Sequence, residues 1–131
     1  MNNHFCLTSN LILSLLALIL SDHLLAEYEY YPQKENWYQE VWCQGQEGVT
    51  EYRINGGRRV DCLTDEHAIE MDFARKWSEA VGQSMDYSML TGKKAGIVLI
   101  LKKKSDYKYW KRLKKLIAHY QLPITAWKLG P

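Results

Sequence analysis

Apolar positions along this chain change their period several times, and each change marks an element. Leu11 to Leu20 is apolar apart from Ser14 and carries no charge. Ten residues are half of the roughly 20 that a helix needs to cross a bilayer, but they match the apolar core of an export signal. Cleavage after Ala26 is therefore expected, leaving a signal peptide over residues 1–26 and a single domain over 27–131. An uncleaved anchor is the alternative, because no Lys or Arg precedes the apolar run. After an irregular lead-in to Pro32, Trp37, Val41 and Trp42 recur at helical spacing, predicting a helix over Gln33–Cys43 that Gly45 and Gly48 end.

The period then becomes two. Thr50–Ile54 reads as a strand, Asn55-Gly56 as a hairpin turn with positive φ at both residues, and Arg59–Leu63 as the returning strand. Alternation places Val60 and Cys62 on one face and Asp61 on the other. A polar turn, Thr64 to Glu66, leads to a third strand, His67–Phe73. There Ile69, Met71 and Phe73 share one face, and Glu70 and Asp72 the opposite one. Carboxylates gathered on one side of a sheet are what a hard divalent cation requires.

Lys76–Leu90 returns to helical spacing through Trp77, Ala80, Val81, Ser84 and Ser88, and Gly92 closes it. Lys76, Gln83 and Tyr87 stand at i, i+7 and i+11, one stripe of about three turns. Ala95–Leu101 is continuously apolar, as in a strand covered on both faces. Ser105 is placed to cap a last helix whose buried stripe is Tyr109, Leu113, Leu116, Ile117 and Tyr120. Pro123 ends it, and Ile124–Trp127 completes the order α-β-β-β-α-β-α-β. This is an α/β fold with a mixed sheet flanked by helices, and no linker divides it.

Charge alters this picture by its distribution. Glu27 to Gly92 holds 6 basic and 13 acidic residues, whereas Lys93 to Pro131 holds 11 basic residues and one acid, Asp106. A basic third beside an acidic cluster suits a protein that binds a polyanion and acts on it through a cation; a solvated Lys-rich helix face is the plainer account. Tyr107 and Trp110 lie among those lysines, where they are candidates to stack on bases. Cys43 and Cys62 remain after cleavage, and in the oxidising compartment that export implies they are able to pair. Neither has a neighbour at zinc-ligand spacing. His67 and His119 have no local partner and read as structural or surface groups.

Asp61, then Glu70 on the next strand, then Gln83-x-x-x-Tyr87 on the following helix, resembles the PD-(D/E)XK nuclease superfamily, in particular its RecB-type branch. The likeness spans about Trp42 to Leu101 and implies a restriction-endonuclease-like core. It also implies Mg²⁺ or Mn²⁺ held by Asp61 and Glu70, with Glu51 and Asp72 as further acidic ligands, and cleavage of nucleic acid, DNA first. Gln83 and Tyr87 would position the backbone or brace the site. The family's lysine stands two residues after the Glu, where this chain has Asp72, so Lys76 is the candidate replacement. The other reading is an inert nuclease-like fold that binds nucleic acid or protein in the cell envelope, with no stable membrane span in the mature chain.

Overall fold

A computed structural model of the chain describes Gln33–Pro131. The expected signal segment and the lead-in to Pro32 lie outside the described residues. Helix α1 (Glu35–Gly45) precedes a hairpin of β1 (Val49–Arg53) and β2 (Arg59–Leu63), followed by β3 (His67–Phe73). A 3₁₀ turn at Ala74–Lys76 runs into α2 (Trp77–Thr91), then β4 (Lys94–Ile100), a 3₁₀ turn at Lys104–Asp106, α3 (Tyr107–Tyr120) and β5 (Ile124–Leu129). The α/β order expected from the sequence is the order observed.

The five strands form one mixed sheet in the order β1-β2-β3-β4-β5. The first two junctions are antiparallel and the last two parallel. Parallel neighbours need long crossovers, and α2 and α3 supply them. One face buries Cys62, Ile69, Met71 and Val98 beneath Cys43, Tyr38 and Trp42 of α1. The other buries Ala95, Ile97 and Leu99 against α2 and α3 through Ala80 and Leu113. Strand β4 is thus covered on both sides, as its unbroken apolar run requires. At Gly96 a Cβ would stand 2.8 Å from Cγ1 of Ile69, so glycine sets the approach of β3 and β4.

Several local expectations give way to tertiary packing. Positive φ in the hairpin falls on Gly56 and Gly57 and not on Asn55, because the turn is longer than two residues: Ile54 N–H donates to Arg58 O. In α1 the inward face is one residue off. Tyr38, Gln39, Trp42 and Cys43 point to the sheet, leaving Trp37 and Val41 exposed. Val60 does not share the face of Cys62; it packs with Ala68 and Tyr87, because the β2–β3 ladder holds only Cys62↔Ile69 and Leu63↔Ala68. Ser105 does not cap α3. Asp106 ties down that turn, its Oδ2 accepting from the backbone N–H of Lys102 and Lys103 at 3.1 and 3.3 Å. Leu113 is buried but Tyr120 is exposed, since α3 ends beyond the edge of the core.

Cys43 and Cys62 form a disulfide between α1 and β2. A Cβ on Gly48 would lie 2.7 Å from both sulfurs, so glycine is required where the chain turns back across the bridge. His67 is structural, with Nε2 3.2 Å from Thr125 Oγ1 and its ring edge-on to Trp127. Trp110 packs against the core below α3, leaving Tyr107 as the exposed aromatic of the pair. Among the described residues no helix is long and apolar enough to cross a membrane.

Candidate active site

Strand alternation turns Glu70 and Asp72 to the face covered by α2, and this is where sequence expectation needs its largest adjustment. The acid-bearing side of β3 is not solvated: Glu70 is 5% and Asp72 2% exposed. Buried carboxylates are costly unless paired or hydrogen-bonded, so each needs an account of its partners. Asp61 Oδ2 accepts from the backbone N–H of Met71 at 2.8 Å, across the point where β2 and β3 stop pairing. This bond takes the place of a ladder bond and aims the Asp61 carboxyl at β3 beside Glu70.

The two carboxyls interact directly. Burial is the main cause that pushes Glu70 up to about 9, reinforced by the charge of Asp61, a hydrogen bond to Asp61 and the charge of Asp72. Asp61 is raised to about 6, again first by burial, while the Met71 N–H and a proton held on Glu70 oppose the rise. The pair therefore keeps a proton to a higher pH than ordinary carboxyl groups do. Among the described residues, the buried Glu70 Oε2 has no hydrogen-bond partner. A buried carboxylate oxygen without a partner, on a side chain that interacts with a second carboxylate, is a group whose charge a divalent cation would balance.

Asp72 is committed elsewhere. Its Oδ1 accepts from Phe73 N–H at 2.7 Å and lies 3.3 Å from Lys76 Nζ. That carboxylate holds the Lys76 ammonium above its ordinary range, with smaller contributions from Glu35 and Glu79. Lys76 is thus next to the acid cluster through Asp72, and not in contact with Asp61 or Glu70. Glu51 has φ +55°, a left-handed conformation within β1, and its Oε2 lies 2.6 Å from Arg59 Nε. Its charge still reaches Asp61. Among the described residues, no three His, Cys, Asp or Glu side chains form a metal-holding group. The structure brings Asp61 and Glu70 together, places Asp72 beside them, and turns Glu51 toward Arg59.

On α2, Tyr87 is buried beneath Val60 and Ala68. Its hydroxyl donates toward Gln83 Oε1 at 3.4 Å and interacts with Glu70. Burial, followed by the negative charge of Glu70, raises the phenol, so it remains a protonated donor. Gln83 and Tyr87 accordingly meet, and Tyr87 braces Glu70 from the helix side. Lys76 begins the same stripe but is half exposed.

Glu35 was not expected here. It stands in the first turn of α1, where a carboxylate reads as no more than a favourable helix-dipole charge. The disulfide and the Tyr38–Trp42 face bring α1 across the sheet, so that Glu35 hydrogen-bonds Asp72, and Gln39 Nε2 donates to Glu35 Oε1 at 3.4 Å. Burial first, then Asp72, pushes Glu35 up to about 7. No local pattern identifies such a residue; its role depends on where α1 docks. Comparison with protein-family models, curated proteins and solved structures finds no match to this chain.

Proposed function

We propose that this chain is a metal-dependent nuclease of the PD-(D/E)XK type with a restriction-endonuclease-like core, hydrolysing phosphodiester bonds of nucleic acid, DNA in the first instance. The observation that carries this reading is the convergence of Asp61 and Glu70, with Glu70 Oε2 buried and unsatisfied. Bound between these carboxylates, Mg²⁺ or Mn²⁺ supplies Lewis-acid polarisation of the phosphodiester and acidification of water. Asp61 is oriented by the Met71 N–H and Glu70 by Tyr87, so both ligands are held before a cation arrives. With a cation held there, Glu70 would release its proton to solvent. Gln83 fixes Tyr87, and Asp72 anchors the Lys76 ammonium at the margin, where it meets substrate phosphate. Export through the segment before residue 27 is part of the same proposal, and the Cys43–Cys62 bridge is compatible with it.

Incubating the full chain with linear DNA and Mg²⁺ or Mn²⁺ tests the reading. Wild type degrades the DNA, and Asp61→Asn or Glu70→Gln abolishes cleavage; equal residual activity in all three sinks it. A second reading, an inert fold that binds nucleic acid, is favoured by one observation. Lys76 pairs with Asp72, and among the described residues no ammonium forms an ion pair with Asp61 or Glu70. That reading expects salt-sensitive DNA binding that both substitutions leave intact, with no cation affinity.

A further inference from the structure

Beyond the acid cluster, at the carboxyl ends of the parallel strands β3 and β4, lies a groove of about 540 Å³. Open α/β sheets place ligands in the crevice outside the carboxyl ends of their strands. Phe73, Ala74 and Ile100 form its apolar floor; Arg75, Lys76, Lys102 and Lys103 form its walls. Among the described residues, the one carboxylate in the lining, Asp106, is buried and occupied by the backbone N–H groups of Lys102 and Lys103. That hydrogen bonding rigidifies the lysine-bearing turn, and the four cationic side chains of the lining outnumber the single carboxylate. Among the described residues Arg75, Lys102 and Lys103 form no ion pair.

Aromatic rings adjoin the cations. Lys102 Nζ sits 3.8 Å from the centroid of Phe73, Tyr38 stands edge-on to Phe73 at 6.1 Å, and Trp37 edge-on to Tyr38 at 5.1 Å. This row runs from the groove to Trp37, which is 45% exposed on the outward face of α1. Cations that track a phosphate chain beside a ring open to stacking are what an unpaired strand needs. Bases within a duplex have no face to offer such a ring.

We infer that this groove binds single-stranded nucleic acid, with Lys102, Lys103 and Arg75 on consecutive phosphates and a base stacked on Trp37. Lys76 lines the groove and pairs with Asp72, so the strand passes the margin of the acid cluster at Asp72. The inference rests on the nuclease reading for its catalytic meaning and deepens it: the substrate enters as an unpaired strand or a frayed end.

Fluorescence anisotropy of a labelled single-stranded oligodeoxynucleotide with the full chain in EDTA tests binding without turnover. The single strand binds about tenfold more tightly than a duplex of the same sequence. Lys102→Gln with Lys103→Gln weakens binding about tenfold and reduces the log–log salt slope by about 1.4, or about 0.7 for each lost phosphate contact. Trp37→Ala weakens it about fivefold and leaves the slope unchanged. Thermal melts confirm that these exposed substitutions leave the fold intact. Equal affinity for duplex and single strand, wild-type binding by the double variant, or displacement of the strand by polyglutamate at equal charge would each overturn the inference. Groove-dependent binding without Mg²⁺-dependent cleavage would remove the nuclease reading alone. Cleavage that both groove variants sustain, with unaltered binding, would remove the groove alone.

Discussion

Along the junction of β3 with β4, every residue from His67 to Phe73 has a partner, and β4 pairs with β5 from Ala95 to Ile100. At the junction of β2 with β3 only two pairs form before the strands part at Asp61. One strand further out, β1 holds Glu51 at positive φ. The parallel half is regular, apolar and closed on both faces. In the antiparallel half the backbone departs from the ladder where the carboxylates gather. Irregular backbone persists only where surrounding contacts over-determine it, and here the disulfide, α1 and Tyr87 do so. The contrast teaches that the parallel half supplies rigidity, while the antiparallel half spends stability on placing charge.

Single substitutions in the two halves should therefore have opposite signatures. Leu99→Ala, at a fully buried position of β4, costs about 2–5 kcal/mol of unfolding free energy through lost burial and a residual cavity. Under the nuclease reading, cleavage per folded molecule is unchanged. Asp61→Asn removes a buried carboxylate from the pair and leaves stability equal or higher, and under the nuclease reading lowers cleavage by roughly 10²–10³-fold or more. Urea melts and turnover on the same preparations read both numbers. Were Asp61→Asn as destabilising as Leu99→Ala, the Asp61–Glu70 pair would be a structural element and the comparison would collapse.

The disulfide is the brace that keeps the irregular half in place. It closes a sequence separation of 19 between α1 and β2, for which loop entropy gives about 3 kcal/mol. Cys43→Ala with Cys62→Ala should lower stability by about that amount. The loss should be uneven: amide exchange accelerates in α1, β1 and β2 and stays slow in β4. Uniform acceleration would show that the two halves unfold as one unit and that the bridge has no local task.

How much of this was legible in the sequence follows the same division. Period-two alternation needs only neighbours along the chain, so Arg59–Leu63 and His67–Phe73 were readable to the residue, and Glu70 and Asp72 fell on the expected face. The continuous apolar run of β4 announced its double cover. What alternation cannot report is what covers the acidic face. The burial of Glu70 and Asp72 depends on α2 lying over them, and the recruitment of Glu35 depends on the docking of α1. Trp37 and Val41 misled for a related reason, since several large apolar side chains in α1 compete for one inward face and the disulfide at Cys43 decides the rotation. The resemblance makes Lys76 the candidate for the missing lysine, but the i,i+4 spacing to Asp72 gives it a nearer partner.

Titration separates the halves without mutation. Glu70, Glu35 and Asp61 are raised to about 9, 7 and 6. The folded state thus holds more protons than the unfolded state above the ordinary carboxyl range. Their contribution is fully present below the unfolded values and is lost as pH rises through 6, 7 and 9. In EDTA the protein should melt at a lower temperature at pH 8 than at pH 5, and Glu70→Gln should flatten that slope. Under the nuclease reading, Mg²⁺ raises the melting temperature at pH 8 and has little effect at pH 5, where protons compete for the same oxygens. A cation-independent melt across this range would leave the inert reading in possession of the site.

The smallest expected effect is the most local. Glu51 adopts φ +55° inside a strand, a conformation that costs a residue with a Cβ about 1–2 kcal/mol and glycine almost none. Glu51→Gly relieves that cost but loses the exposed ion pair with Arg59, worth about 0–1 kcal/mol, and gains chain entropy in the unfolded state. The net gain in stability should be no more than about 1 kcal/mol. Activity gives the sharper readout. Glu51 contributes negative charge that raises Asp61, so its removal should shift the Asp61 titration downward, measurable by carboxyl NMR in the absence of cation. If the strain serves to hold a third carboxylate near the cation, Glu51→Gly will be more stable than wild type and less active, with the deficit shrinking as Mg²⁺ is raised. A variant that gains stability and keeps its Mg²⁺ dependence would place Glu51 outside the metal set and assign its unusual backbone to the course of β1 alone.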